Sequence, residues 1–123
     1  MIQRRSGGRQ ASPPLLFSVV PTRDLLVVNR LIAAARLGKP LVSLGVKHLF
    51  WTAVSDGRVV GCLGFDLIGQ QTAILSYVIT DETCRKKGIG KALFQHALEQ
   101  TKVTTVALVT MYYRFKWFRS LGF

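Results

Sequence analysis

The sequence predicts an α/β (α+β) sandwich, a mixed and largely antiparallel central sheet with helices on both faces. Two observations carry this expectation. Three β-rich runs joined by short turns fill residues 49–80, which makes an antiparallel meander. Helical spacing of apolar residues then appears on both sides of that meander, at 23–37 and again from Ile89 onward.

Each element has its own signal. Residues 15–20 are a short apolar strand that Pro21 cuts off. Thr22 offers an N-cap to a helix over 23–37, on which Leu25, Val28, Leu31, Ile32 and Ala35 share one face. Gly38 followed by Pro40 ends it. Residues 41–48 are ambiguous and leave room for a second short helix. Residues 49–54 read as a strand, Asp56-Gly57 as a hairpin turn and residues 58–67 as the returning strand. Gly69-Gln70 turns the chain again into a strand over 72–80. After a polar stretch, Ile89, Ala92, Leu93, Ala97 and Leu98 mark a helix ending near Lys102. Residues 103–109 are β-rich and 111–121 helical, giving the order β-α-(α)-β-β-β-α-β-α.

Composition bounds the rest. A chain of 123 residues, 49% apolar, makes one domain with a single core and is not disordered. Residues 1–14 read as a flexible basic leader and 15–123 as the domain. The leader's acid-free composition also suits a transit peptide, but it lacks the apolar stretch of a secretory signal. No apolar run approaches the ~20 residues of a membrane-spanning helix, so no membrane partner is expected. Cys62 and Cys84 lie in no Cys/His cluster, which gives a metal site no support. Two free thiols fit a reducing cytosol, so a cytoplasmic location is expected. The net charge of +11 attracts polyanions without choosing among nucleic acid, acidic membrane and a phosphorylated cofactor.

The segment that chooses is Arg85-Lys86-Lys87-Gly88-Ile89-Gly90-Lys91, lying between a strand and a helix. First-turn amides of a helix have no intrahelical partner and carry the positive end of the dipole. Glycines at 88 and 90 keep side chains out of an anion's way, and the flanking cations attract it. Pyrophosphate is the natural guest. The pattern is neither the nucleotide P-loop nor G-x-G-x-x-G, since Leu93 stands where the third glycine belongs. A charged turn that merely starts an amphipathic helix remains the plain alternative.

At these residues the chain resembles the GNAT superfamily of acetyl-CoA-dependent N-acetyltransferases. Arg85-x-x-Gly88-x-Gly90 matches the family's R/Q-x-x-G-x-G/A motif at every specified position. Asp56-Gly57-Arg58-Val59-Val60-Gly61-Cys62 is similar to the family's "dG.vvG" hairpin, and Trp117-Phe118-Arg119-Ser120-Leu121-Gly122-Phe123 to its closing "fY.klGF". The resemblance covers residues 15–123 and is closest to the short bacterial amino-acid N-acetyltransferase-like branch.

The resemblance implies acetyl-CoA as cosubstrate and a small-molecule primary amine as acceptor, attacking directly without a covalent enzyme species. Main-chain groups of Val78, Ile79 and Thr80 would bond pantetheine, one N–H polarising the thioester carbonyl. The amides of Lys86, Lys87, Gly88, Ile89, Gly90 and Lys91 would hold the pyrophosphate, with Arg85, Lys86 and Lys87 near the 3′-phosphate. Phe118 occupies the place where many relatives carry a proton-donating tyrosine, and a phenyl ring cannot donate. Tyr113 is the stand-in within that segment and Tyr77 the leading candidate base, with Asp66 and His48 behind it; aromatic packing is the plain reading of both tyrosines. His96 reads as structural, and Cys62 and Cys84 as packing residues.

The family pattern usually continues past Gly-Phe with another strand, whereas this sequence stops at Phe123. A sheet lacking the usual last strand is therefore expected, either in a shortened form or completed by a second copy. An exposed edge invites pairing, which makes a homodimer the expected assembly. Two rivals stand beside the enzyme reading. One is a degenerate acyl-CoA-binding member without catalysis. The other is a basic nucleic-acid-binding module, disfavoured because no helix-turn-helix, zinc-finger or RRM signature is present.

Overall fold

The computed structural model describes residues 16–85, 87–108 and 115–123. The leader expected at 1–14 lies outside them, as do Lys86 and Tyr113. The elements run β1 (Ser18–Thr22), α1 (Leu25–Ala34), β2 (His48–Ser55), β3 (Arg58–Leu67), β4 (Thr72–Thr80), a 3₁₀ turn (Glu82–Cys84), α2 (Ile89–Thr101), β5 (Thr105–Ala107) and α3 (Phe115–Ser120). The five strands form one open sheet in the order β1-β2-β3-β4-β5. The first three pairings are antiparallel, and α2 carries the chain across to a parallel β5.

The hairpin between β2 and β3 forms because Asp56 and Gly57 both adopt positive φ, the conformation a two-residue turn needs to follow strand twist. Each face of the sheet buries its own core. On one side α1 lays Val28 and Ile32 over Phe50, Cys62 and Ile79. On the other, α2 lays Ile89, Leu93, Phe94 and Ala97 over Trp51, Leu63, Phe65 and Val78, with Phe118 of α3 joining them.

Three local expectations are corrected. Pro21 does not end β1; it pairs with Trp51 inside it, which an edge strand permits because no second neighbour needs the missing N–H. The cap of α1 is Asp24, whose carboxylate accepts from the Leu26 amide at 3.0 Å, while Thr22 Oγ1 accepts from the Asp24 amide. The helix stops at Ala34, and Arg36 turns left-handed at φ 57 ahead of Gly38.

Residues 41–47 hold no second helix. Side chains take the backbone groups that a helix would have paired. Asn29 binds Leu41 twice, donating to its carbonyl at 2.9 Å and accepting from its amide at 2.8 Å. Arg23 donates to the carbonyls of Leu44 at 3.0 Å, Gly45 at 3.1 Å and His48 at 3.4 Å. No helix among the described residues is long and apolar enough to cross a membrane.

Candidate cofactor and active site

The site is assembled where β4 passes its chain into α2. Asp81 ends the strand and organises the connection. Its carboxylate accepts from the Thr83 amide at 3.0 Å and the Thr83 hydroxyl at 2.9 Å, and it pairs with Arg58 at 3.0 Å. The Thr83 bonds, with the Arg58 charge behind them, hold its carboxyl below the ordinary 3.8. A lowered folded-state value stabilises the fold above the unfolded value, and that contribution is lost as pH falls through it. Asp81→Ala should therefore melt lower than the parent at pH 6, with the gap closing towards pH 3 in thermal unfolding.

Beyond the 3₁₀ turn, Arg85 is extended and exposed, and Lys87 and Lys91 are exposed beside it. Gly88 caps α2 in the left-handed region at φ 79 and, being glycine, supplies no capping side chain. The first bond of the ladder runs from the Ala92 amide to the Gly88 carbonyl, so the amides of Ile89, Gly90 and Lys91 precede it. The nearby carboxylate of Asp81 is spent on Thr83 and Arg58 instead. An anion placed at this turn would meet amides, the helix dipole and three cations.

The two glycines differ in their reasons. A Cβ on Gly88 would find nothing within 4 Å, so here the turn's positive φ demands glycine. A Cβ on Gly90 would lie 2.8 Å from the Trp117 ring. Gly90 is thus small to let α3 dock against α2, rather than to clear a path for a ligand.

On β4, the side chains of Val78 and Ile79 are buried in opposite cores. What these two residues can present to a ligand is therefore main chain. Thr80, half-buried, pairs with Gly61. Among the described residues β4 pairs with β5 at Thr72, Ala73 and Ile74. One residue further on, the β3–β4 register slips between Gly64 and Phe65, leaving Ser76 as the extra residue of a bulge.

That bulge turns Ser76 to the α1 face. There its Oγ stands 3.2 Å from His48 Nε2. His48 stacks at 4.9 Å on Phe50, and Phe50 in turn lies 6.0 Å from the ring of Tyr77. Tyr77 is half-buried beside the α1 core. Asp66 is exposed and directly opposite His48 across β2 and β3. His96 lies half-buried on α2. Cys62 and Cys84 are buried free thiols. Burial pushes the Cys62 thiol up to about 12, leaving it protonated and a poor nucleophile. Phe118 is buried with Trp117 and Phe123 packed edge-on against it. The described residues bring together no group of His, Cys, Asp or Glu that could hold a metal.

Residues 46–123 match the family model described as an acetyltransferase (GNAT) domain, well over half of the chain. The chain belongs to the GNAT acetyltransferase family. Solved GNAT structures share its fold at low identity. A GNAT-family acetyltransferase from Streptococcus pneumoniae is 20% identical, with a TM-score of 0.69 covering 88% of this chain and 87% of that one. The ribosomal-protein-S18-alanine N-acetyltransferase of Escherichia coli is 18% identical at a TM-score of 0.72, covering 87% and 77%. An aminoglycoside N-acetyltransferase, AAC(6′)-Iy, solved in complex with CoA, is 14% identical at 0.72, covering 93% and 91%. No curated protein matches the chain. Ser76, within the matched residues, and Arg23, ahead of them, carry no signal in the sequence.

Proposed function

We propose that this GNAT domain transfers an acetyl group from acetyl-CoA to a primary amine. The observation that carries the proposal is the start of α2, led by Gly88, which brings no capping side chain of its own, and flanked by Arg85, Lys87 and Lys91. Amides of Ile89, Gly90 and Lys91 would hold the pyrophosphate, together with the Lys86 and Lys87 main chain. The main chain of Val78, Ile79 and Thr80 would align pantetheine and polarise the thioester carbonyl. Acetyl-CoA supplies an activated acyl carbon with a good leaving group. The chain contributes orientation and oxyanion stabilisation. The ribosomal-protein-S18-alanine N-acetyltransferase and the aminoglycoside N-acetyltransferase that share the fold both support an amine as acceptor.

Thermal unfolding with acetyl-CoA, desulfo-CoA and a DNA duplex tests the reading, followed by CoA thiol release with a panel of amines. Stabilisation by both CoA compounds alone, and thiol release with an amine, is expected. Stabilisation by DNA alone would favour the basic-module rival. CoA binding without turnover would leave a non-catalytic member, the reading that the phenyl ring of Phe118 supports.

A further inference from the structure

The His48–Ser76 pair joins the start of β2 to the bulge in β4. Ser76 is the extra residue of that bulge. Val78, where the thioester is expected, is two residues on, about 7 Å along a strand. The pair is also held in place from three sides. Gly64 has no Cβ, and one there would lie 2.5 Å from Ser76 Oγ and 2.6 Å from the Phe50 ring, so glycine makes room for the hydroxyl. Phe50, buried to 1% exposure, supports the imidazole from beneath. Arg23 grips the carbonyls of Leu44, Gly45 and His48, fixing the segment that delivers the histidine. Both residues of the pair are half-buried, open enough to meet a solute. Asp66 from β3, Tyr77 from β4 and Arg23 ahead of α1 are ionisable groups around it among the described residues.

We propose that Ser76 and His48 form the proton relay that takes the acceptor amine's proton, a deepening that rests on the acetyltransferase reading. The Ser76 hydroxyl donates to neutral His48 Nε2, which leaves its oxygen lone pairs to accept an N–H of the amine. Imidazole suits the task because it changes charge nearest neutral pH. As the amine nitrogen bonds to the acyl carbon, its proton passes to Ser76 Oγ and the serine's own proton passes to His48. The tetrahedral intermediate then collapses, breaking the C–S bond. The thiolate leaves with the electron pair and takes a proton from water, and the imidazolium returns its proton to solvent. Amine and thioester thus become amide and free thiol, with neither residue consumed.

The test uses the full chain, acetyl-CoA and three probe acceptors: alanine amide, an alanine-initiated peptide and an aminoglycoside. His48→Gln and Ser76→Ala should each lower kcat by about 10²-fold, with acetyl-CoA affinity and melting temperature unchanged. Free imidazole should restore part of the rate to His48→Ala and none to Ser76→Ala. Parent-like turnover in His48→Gln and Ser76→Ala overturns the relay and leaves the acetyltransferase reading intact. Loss of acetyl-CoA binding together with turnover in both variants makes the pair structural and overturns it too. A parent chain that binds acetyl-CoA yet acetylates none of the probes removes both readings.

Discussion

Gly88→Glu is expected to abolish acetyl-CoA binding while the chain stays folded. The substitution acts in two ways. It places a non-glycine residue at φ 79, a left-handed position that costs an L-residue roughly 1–2 kcal/mol. It also sets a carboxylate at the start of α2, where it competes for the amides of Ile89, Gly90 and Lys91 and repels a diphosphate. No steric clash accompanies this, since a Cβ at 88 meets nothing within 4 Å. Gly88→Ala separates the two effects, because it carries the backbone strain without the charge. Calorimetric titration should show a loss of about 100-fold or more in affinity for the glutamate variant, near 2.7 kcal/mol, and a far smaller loss for alanine. Equal affinities in parent and glutamate variant would remove the turn from the cofactor site.

The second large effect concerns stability. Gly61 sits in β3 under α2, and a Cβ there would lie 2.9 Å from the Ile79 carbonyl oxygen and 3.1 Å from Ile89 Cγ2. The first of these neighbours is backbone of the adjoining strand and cannot swing away. Ile89 is 1% exposed and Leu93, also in reach, is fully buried. Gly61→Ala should therefore push α2 off the sheet and destabilise the chain by about 2–3 kcal/mol, the upper part of the range for overpacking a tight core. In urea the midpoint should fall while the slope stays constant. Because Ile89 opens α2, acetyl-CoA affinity should weaken in the same variant. Parent-like stability would mean that helix and strand are not seated this closely.

Gly88 and Gly90 differ in how far the sequence discloses their roles. The meander was legible because Asp56-Gly57 and Gly69-Gln70 punctuate it, and β3 and β4 occupy the residues expected of them. The position of Gly88 between strand and helix was legible for the same reason. The role of Gly90 was not, since the Trp117 ring it accommodates comes from a helix 27 positions away. Residues 41–47 were opaque because their path is set by Asn29 and Arg23, whose bonds span 12 to 25 positions. Pro21 reads as a breaker along the chain and is harmless only because β1 lies at the edge.

Ser76 was hidden by the bulge. The burial of β4 alternates up to Leu75, and the half-buried pair Ser76 and Tyr77 then breaks the period. In the sequence, Ala73-Ile74-Leu75 and Tyr77-Val78-Ile79 are equally apolar runs around Ser76, so nothing there marks the bulge or the pair with His48. The buried Phe118 fits the other half of this picture. Under the proposed acetyl transfer, a phenyl ring at 118 would leave thiolate protonation to water or to another group.

The most direct test of the account is a crystal structure of the chain with CoA bound. The pyrophosphate oxygens should lie within hydrogen-bond distance of the amides at 88–91, with pantetheine running beside β4. A diphosphate bound elsewhere, with those amides facing water or the chain's own carboxylates, would contradict it.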